Sequence, residues 1–491
     1  MVARARIEPE RNASVVDVSR LGKQCAVRGV DGDNDNQGFA MATIHRIRAV
    51  DYSVDEAGDF DGATMRGLRT PAGFVMLFDD DLHPIEPANL FLLDHCHVPA
   101  RRGRWQKTQT AYADDLVHWW TYLRLHDLAW DTVGADDLRA YAHALVHGVS
   151  SRGQRFSSST VSRRIGTVEA LYRWALRHGL VEECPIVEGG TKRLVDIDRA
   201  FLPHTGGIRV AAASPLRPRP AAVDEHVNPI AMGDLTAILD GLGASPYDID
   251  DNDARATRDR LIAETSLYTG MRVEEVVGLT IYQILDVARG EDLSDRWRPL
   301  PLRITVTKGG VPRTVVIPAF LVKALLAYID GERASVVGSA KQRGRNASNA
   351  LFLNGIRSTS RDVGGKTSPA TAMRAFHASV LASGLTRTET TYRIDPSTGS
   401  PAIDEHGEEI LEARDVAKHS FHDLRHTFAC QFYWAEIQAG NPAPWKKLQA
   451  RLGHKRLSTT QDIYLRHVET REPEISDTFA RLLKERLDAL A

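Results

Sequence analysis

Cysteine is scarce: four residues in 491, Cys25, Cys96, Cys184 and Cys430, with no Cys-x-x-Cys pair among them. Such spacing argues against a disulfide framework or a zinc knuckle and reads as free thiols in a reducing cytoplasm. Long apolar runs are missing too. None approaches the ~18 residues that a membrane span needs, so no transmembrane helix is expected. The first ten residues carry positive charge but no apolar stretch, so no secretory signal is expected either. Nor is there an excess of one charge: 62 Lys and Arg against 64 Asp and Glu leave a net of −2. Global electrostatics therefore announce no polyanion. What is present is ordinary, 43% hydrophobic and 26% charged residues, enough to bury sizeable cores and to exclude a wholly disordered or collagen-like chain. At roughly 100–200 residues per domain, the length implies two to four domains.

Local charge is uneven. Between Ser151 and Arg177 stand six arginines (Arg152, Arg155, Arg163, Arg164, Arg173, Arg177) and one acid, Glu169. Between Lys446 and Arg456 stand Lys446, Lys447, Arg451, Lys455 and Arg456 and no acid. Two separated basic stretches in a near-neutral chain suggest contact with a polyanion on chosen faces.

The organisation reads as follows. Residues 1–103 hold a Gly/Asp/Asn-rich patch at Gly29–Gly38 and short β-like runs such as Gly73–Phe78 before the turn Asp79–Asp81; they are expected to form an appended region, α/β or β-rich. Residues 104–185 turn helical. Tyr112, Leu116, Trp119, Trp120 and Leu123 share one 3.6-period stripe. Leu138, Tyr141, Ala142 and Leu145 share a second, and Val168, Leu171, Tyr172, Ala175 and Leu176 a third. Ser157 to Thr160 supply N-cap choices for the third helix, whose opposite face is expected to expose Arg163, Arg164, Arg173 and Arg177. A linker at 186–228 carries Ser214-Pro-Leu-Arg-Pro-Arg-Pro, semi-extended by composition. Residues 229–474 are expected to form a larger domain, followed by an amphipathic helix at 475–491 whose apolar stripe must dock on a protein surface.

Chemistry gathers in the larger domain. A helix ends at Gly270, a residue that tolerates the left-handed conformation, and Arg272 opens the next helix with Glu275 one turn on, able to hold it. Two β-rich runs flank Lys308-Gly309-Gly310, which reads as a hairpin turn. In Ser420-Phe-His-Asp-Leu-Arg-His-Thr, Ser420 and Asp423 form a capping box, and His422, Arg425 and His426 share a face within the first turns. A helix N-terminus flanked by such groups suits a phosphate. Another helix ends at Gly453; His454 follows, and Ser458 with Gln461 caps a short helix carrying Tyr464.

Taken in order, Thr-Gly-Met-Arg-Val-Glu-Glu around Arg272, Lys308 in its hairpin, His-Asp-Leu-Arg-His-Thr-Phe-Ala at 422–429, Leu-Gly-His at 452–454 and Tyr464 resemble the tyrosine recombinase (phage integrase) family. The resemblance spans about 230–470, and the bundle at 105–185 looks like that family's core-binding domain. It implies a mainly α fold with small β-hairpins (α+β), with Arg272, Lys308, His422, Arg425 and His454 in the active site and Tyr464 as nucleophile. Glu275 and His426 would support them. Basic residues Arg163, Arg164, Arg173, Arg177, Lys446, Lys447, Arg451, Lys455 and Arg456 would bind DNA. The implied partner is a double-stranded recombination site held in a tetrameric synapse, with room for an accessory DNA-bending or directionality protein, in the bacterial cytoplasm. No cofactor and no metal are expected, because the cations at the phosphate are side chains. The stretch 386–414 departs from a minimal member and reads as an inserted hairpin. Two other classes fit the residues less well: a metallohydrolase using His422, His426 and His454, which Arg425 beside the ion disfavours, and a DNA-binding factor without cleavage, which an intact Tyr464 and both arginines disfavour.

Overall fold

The computed structural model describes residues 44–48, 73–81, 83–96, 105–150, 152–186, 192–193, 209–210, 214–218, 228–247, 255–305, 312–396 and 400–453. They divide into two compact units, one within Met1–Val223 plus Thr390–Ala413 and one within Asp224–Glu389 plus Arg414–Ala491. The expected segments Lys308, His454 to Arg456, Tyr464 and the helix at 475–491 lie outside the described residues.

In the first unit, strands β1 (His45–Arg48) and β2 (Val75–Phe78) pair antiparallel. Helices α1 (Glu86–Cys96), α2 (Trp105–Leu125), α3 (Ala135–His147) and α4 (Ser158–Arg177) follow. The three apolar stripes are buried as their spacing dictates, Trp119, Tyr141 and Tyr172 almost completely, except that Tyr112 is half-buried and Leu176 at the end of α4 is 42% exposed. The part of 1–103 that is described is no separate layer: Ile44, Phe74, Val75, Leu77, Phe91 and Leu92 share one continuous core with the helical stripes. Strand β2 is held by side-chain amides. Gln109 accepts from the Val75 N–H at 3.1 Å and donates to its carbonyl at 2.6 Å, and Asn89 does the same for Leu77 at 2.8 and 2.9 Å. An Asn or Gln amide thus satisfies strand groups that no further strand among the described residues pairs. Short strands β3 (Lys192–Arg193) and β4 (Arg209–Val210) also pair.

The second unit runs through α5 (Met232–Leu242), α6 (Arg258–Thr269), the short α7 (Val273–Val276), α8 (Ile281–Ala288), β5 (Pro299–Ile304), β6 (Arg313–Pro318) and α9 (Ala319–Tyr328). A π-turn at Ile329–Arg333 leads into α10 (Ala334–Gln342), followed by α11 (Pro369–Ala382), β7 (Thr386–Tyr392), β8 (Leu411–Ala417), α12 (Phe421–Gln438) and α13 (Pro444–Leu452). Strands β5 and β6 are antiparallel with Leu300, Leu302 and Ile304 opposite Ile317, Val315 and Arg313. Helix α6 lies in the main core with α5, α8, α9, α11 and the inner face of that hairpin. Strands β7 and β8 form the ribbon expected of the insertion. Its distal part belongs to the first unit: the Tyr392 N–H donates to the Gly153 carbonyl at 2.7 Å, and Arg155 donates to the Tyr392 hydroxyl at 2.9 Å.

Candidate active site

Four local devices build the site. Helix α6 ends on Gly270 at φ +66°, a left-handed cap whose N–H returns to the Ser266 carbonyl. Reversing the chain there places Arg272 as the N-cap of α7. The Glu275 carboxylate, 1% exposed, accepts the Arg272 backbone N–H at 2.9 Å and approaches its guanidinium at 3.5 Å. Helix α12 starts at Ser420, where Asp423 accepts from the Ser420 N–H at 2.8 Å. Helix α13 ends on Gly453 at φ +67°, a left-handed cap of the same kind.

Arg425 joins these devices. Its side chain is buried, 1% exposed overall, and its two Nη groups donate to the carbonyl of Gly270 and, at 2.8 Å, to that of Leu452. Each acceptor lies two residues before a candidate catalytic residue, Arg272 and His454. The guanidinium therefore binds both chain reversals to α12 while keeping its permanent charge in a site of low dielectric. His422 is exposed at the first turn of α12, and its ring meets that of His426 edge to face at 4.6 Å. Beneath them Asp423 is pushed up from the ordinary carboxylate range by burial, and burial lowers His419, which lies between Asp423 and Asp234. Among the described residues no three His, Cys, Asp or Glu side chains gather closely enough to hold a metal ion.

One residue escaped the sequence reading. Arg313 donates to both oxygens of Glu275, at 2.7 and 3.0 Å. Its signal was the strand period: Arg313, Val315 and Ile317 share one face of β6, and the last two are fully buried. An arginine in step with inward apolar residues must find an acid.

The described basic residues proposed for a polyanion differ in exposure and pairing. Arg164 is turned inward, its side chain 14% exposed, its guanidinium 4.3 Å from the Phe156 ring centroid and 3.9 Å from buried Asp115. This corrects the expectation that it stands on the outer face of α4. Arg163 is half exposed but bonded to Asp115 at 2.7 Å, and Arg173 stands 3.8 Å from buried Glu169. Glu169 is held more closely by Arg217 of the Pro-rich segment, at 2.5 Å. Arg177 and Lys446 are exposed. Lys447 is also exposed but pairs with Glu436 at 2.6 Å, while Arg451 is half-buried against Phe432.

The site's class is matched by sequence. Residues 245–471 match the phage integrase family and residues 96–179 its N-terminal SAM-like domain. The chain thus carries a phage integrase catalytic domain and the N-terminal SAM-like domain, and it is homologous to tyrosine recombinases. Similar proteins include tyrosine recombinase XerD of Mycobacterium tuberculosis (strain CDC 1551 / Oshkosh), 26% identical over 369 residues that cover 74% of this chain and 89% of that one. Tyrosine recombinase XerC of Mycobacterium bovis (strain BCG / Pasteur 1173P2) is 26% identical over 360 residues, 73% and 88% of the two chains. Among solved structures, XerH site-specific recombinase bound to palindromic difH substrate aligns at 15% identity with a TM-score of 0.44, over 76% of this chain and 80% of that one.

Proposed function

We propose that this chain is a site-specific recombinase that cuts and rejoins DNA strands through a covalent 3′-phosphotyrosyl intermediate, to integrate or excise a mobile element. The observation that carries the reading is the arrangement of Arg272, Glu275 and Arg425: one guanidinium just after a chain reversal, the other on α12 and tied to the carbonyl two residues before the first. In the proposed reaction the Tyr464 hydroxyl attacks the scissile phosphorus and loses its proton to His422. The P–O5′ bond breaks, and Lys308 gives the leaving oxygen a proton. Charge grows on the two non-bridging oxygens, where Arg272 and Arg425 supply permanently charged donors and His454 a further hydrogen bond. A phenol near its ordinary pKa of ~10 needs such a base. The energy of the broken ester stays in the phosphotyrosine, so the strand can be rejoined without ATP. On this reading the active form is a tetramer on two DNA sites, in the cytoplasm, and neither metal nor cofactor takes part.

A duplex nicked beside the scissile phosphate tests it. The wild-type chain is expected to be trapped as a DNA–protein adduct on denaturing gels, in EDTA as well as without it. Tyr464→Phe is expected to bind the same duplex and give no adduct. An adduct of equal yield from Tyr464→Phe, or one that chelation abolishes and zinc restores, would replace this reading.

A further inference from the structure

We propose that Arg313, on the hairpin strand after Lys308, is a positioning residue that keeps the Arg272 guanidinium available for the phosphate by saturating the Glu275 carboxylate. The proposal rests on the recombinase reading above. Glu275 is nearly fully buried, and a buried carboxylate must be paired. Two arginines stand beside it. Arg313 meets it fork to fork at 2.7 and 3.0 Å, whereas the Arg272 guanidinium is 3.5 Å away, at the edge of hydrogen bonding. The bidentate pair is the strong one. Because Arg313 neutralises Glu275, the carboxylate holds Arg272 loosely, by its backbone N–H and one long contact, and the cluster keeps one net positive charge for an anion. Without Arg313, Glu275 would draw the Arg272 guanidinium into a tight ion pair of its own, and less of that charge would face the phosphate.

Arg313 also touches the third part of the site. A Cβ added to Gly453 would stand 2.8 Å from its Cδ and 3.0 Å from its Nε, so the chain that leads to His454 passes directly over this side chain. Its Nε is buried and has no hydrogen-bond partner among the described residues. One side chain thus bears on the segment of Arg272, the strand that follows Lys308 and the turn before His454. This is the place for a residue that sets their mutual geometry without contacting DNA.

The test compares the wild type with Arg313→Met, Arg313→Lys and the double variant Arg313→Met/Glu275→Gln on the nicked duplex. Three quantities are measured: the rate of adduct formation, the Kd for the uncleaved duplex and the thermal midpoint. Arg313→Met is expected to slow adduct formation about 10–100-fold, less than the ~10²–10³ lost with a donor on the reacting group itself, while Kd changes little. Arg313→Lys should fall between, since an ammonium replaces two fork contacts with one. The double variant should recover much of the rate, because no buried charge is left to capture Arg272, and Gln still accepts the Arg272 N–H. A rate for Arg313→Met equal to wild type would overturn the proposal. So would a double variant as slow as the single one, with Kd and thermal midpoint degraded in step, since that is the behaviour of a purely structural ion pair. Should Arg313→Met not fold, Arg313→Lys alone decides by the same split of rate from Kd. A wild-type chain that forms no adduct would instead overturn the recombinase reading.

Discussion

Gly270 shows how much one residue can decide. It sits at φ +66°, and a Cβ there would lie 2.5 Å from Cδ1 and 2.6 Å from Cε1 of Phe428. Gly270→Ala combines a left-handed alanine, costing about 1–2 kcal/mol, with a ring that must move, costing about 1–3 kcal/mol. Its carbonyl is an acceptor of Arg425, so a shift of this turn moves both guanidiniums of the site. Chemical denaturation should show a loss of roughly 2–5 kcal/mol from these two costs, together with a fall in adduct yield. An unchanged midpoint would mean the turn has slack that the geometry does not show. Arg313 was missed at this same scale. Its partner is 38 residues away, and a period-2 count marks it as inward-facing without saying which acid it meets.

Helices α2 and α3 meet through a pair of polar groups that apolar stripes do not reveal. His118 on α2 is buried, 4% exposed, and its Nδ1 lies 3.1 Å from the hydroxyl of Tyr141 on α3. Burial, aided by Arg164, keeps this imidazole well below its ordinary pKa and therefore neutral. In the unfolded chain the ring titrates near 6.5. Below that pH the unfolded state binds the extra proton, so stability is whole above about 6.5 and drains as pH falls toward the folded value, by up to ~1.4 kcal/mol per pH unit. His419 in the second unit, lowered by burial, acts in the same direction. The thermal midpoint should drop between about pH 7.5 and about pH 5, and the drop should be shallower in His118→Gln, which can keep a bond to Tyr141 without titrating. Equal drops in the two proteins would assign the titration elsewhere. The α2–α4 contact follows a similar logic. Asp115 points into the core, pushed up by burial, and is held by Arg163 and by the Thr167 hydroxyl at 2.8 Å.

At the scale of the molecule, a net charge of −2 leaves DNA affinity to local cations, and the ion pairs sort them. Each cation that neutralises a phosphate steepens the dependence of log affinity on log salt by about 0.9. Arg177 and Lys446 are exposed, so Arg177→Ala or Lys446→Ala should each lower the slope by about one without altering the thermal midpoint. Arg164, stacked on Phe156 and facing Asp115, should behave in the opposite way. Arg164→Met is expected to leave the slope alone and to lower the midpoint by removing one of the two cations beside a buried carboxylate and the guanidinium packed on Phe156. Measuring the affinity for one half-site duplex across a salt series separates the two classes. A slope that Arg164→Met reduces as much as Arg177→Ala would show that Arg164 swings outward to meet DNA.

Several features were legible in the sequence because their causes are local. Helix periods place the three apolar stripes, glycines at Gly270 and Gly453 end helices where φ turns positive, and the Ser420 and Asp423 pair starts one. All of these are set within about one turn of chain. The placement of Arg272 after a helix end and of Arg425 in the first turns of α12 was legible for the same reason. Other features were decided only by the tertiary fold, because they depend on partners far apart in sequence. That Arg164 faces inward while Arg177 faces out follows from a single buried acid on α2. That the region before residue 103 joins the bundle's core follows from apolar faces that neither part could cover alone. That Glu275 is divided between Arg272 and Arg313 follows from the cost of an unpaired buried charge, which is settled only when the hairpin closes over α7.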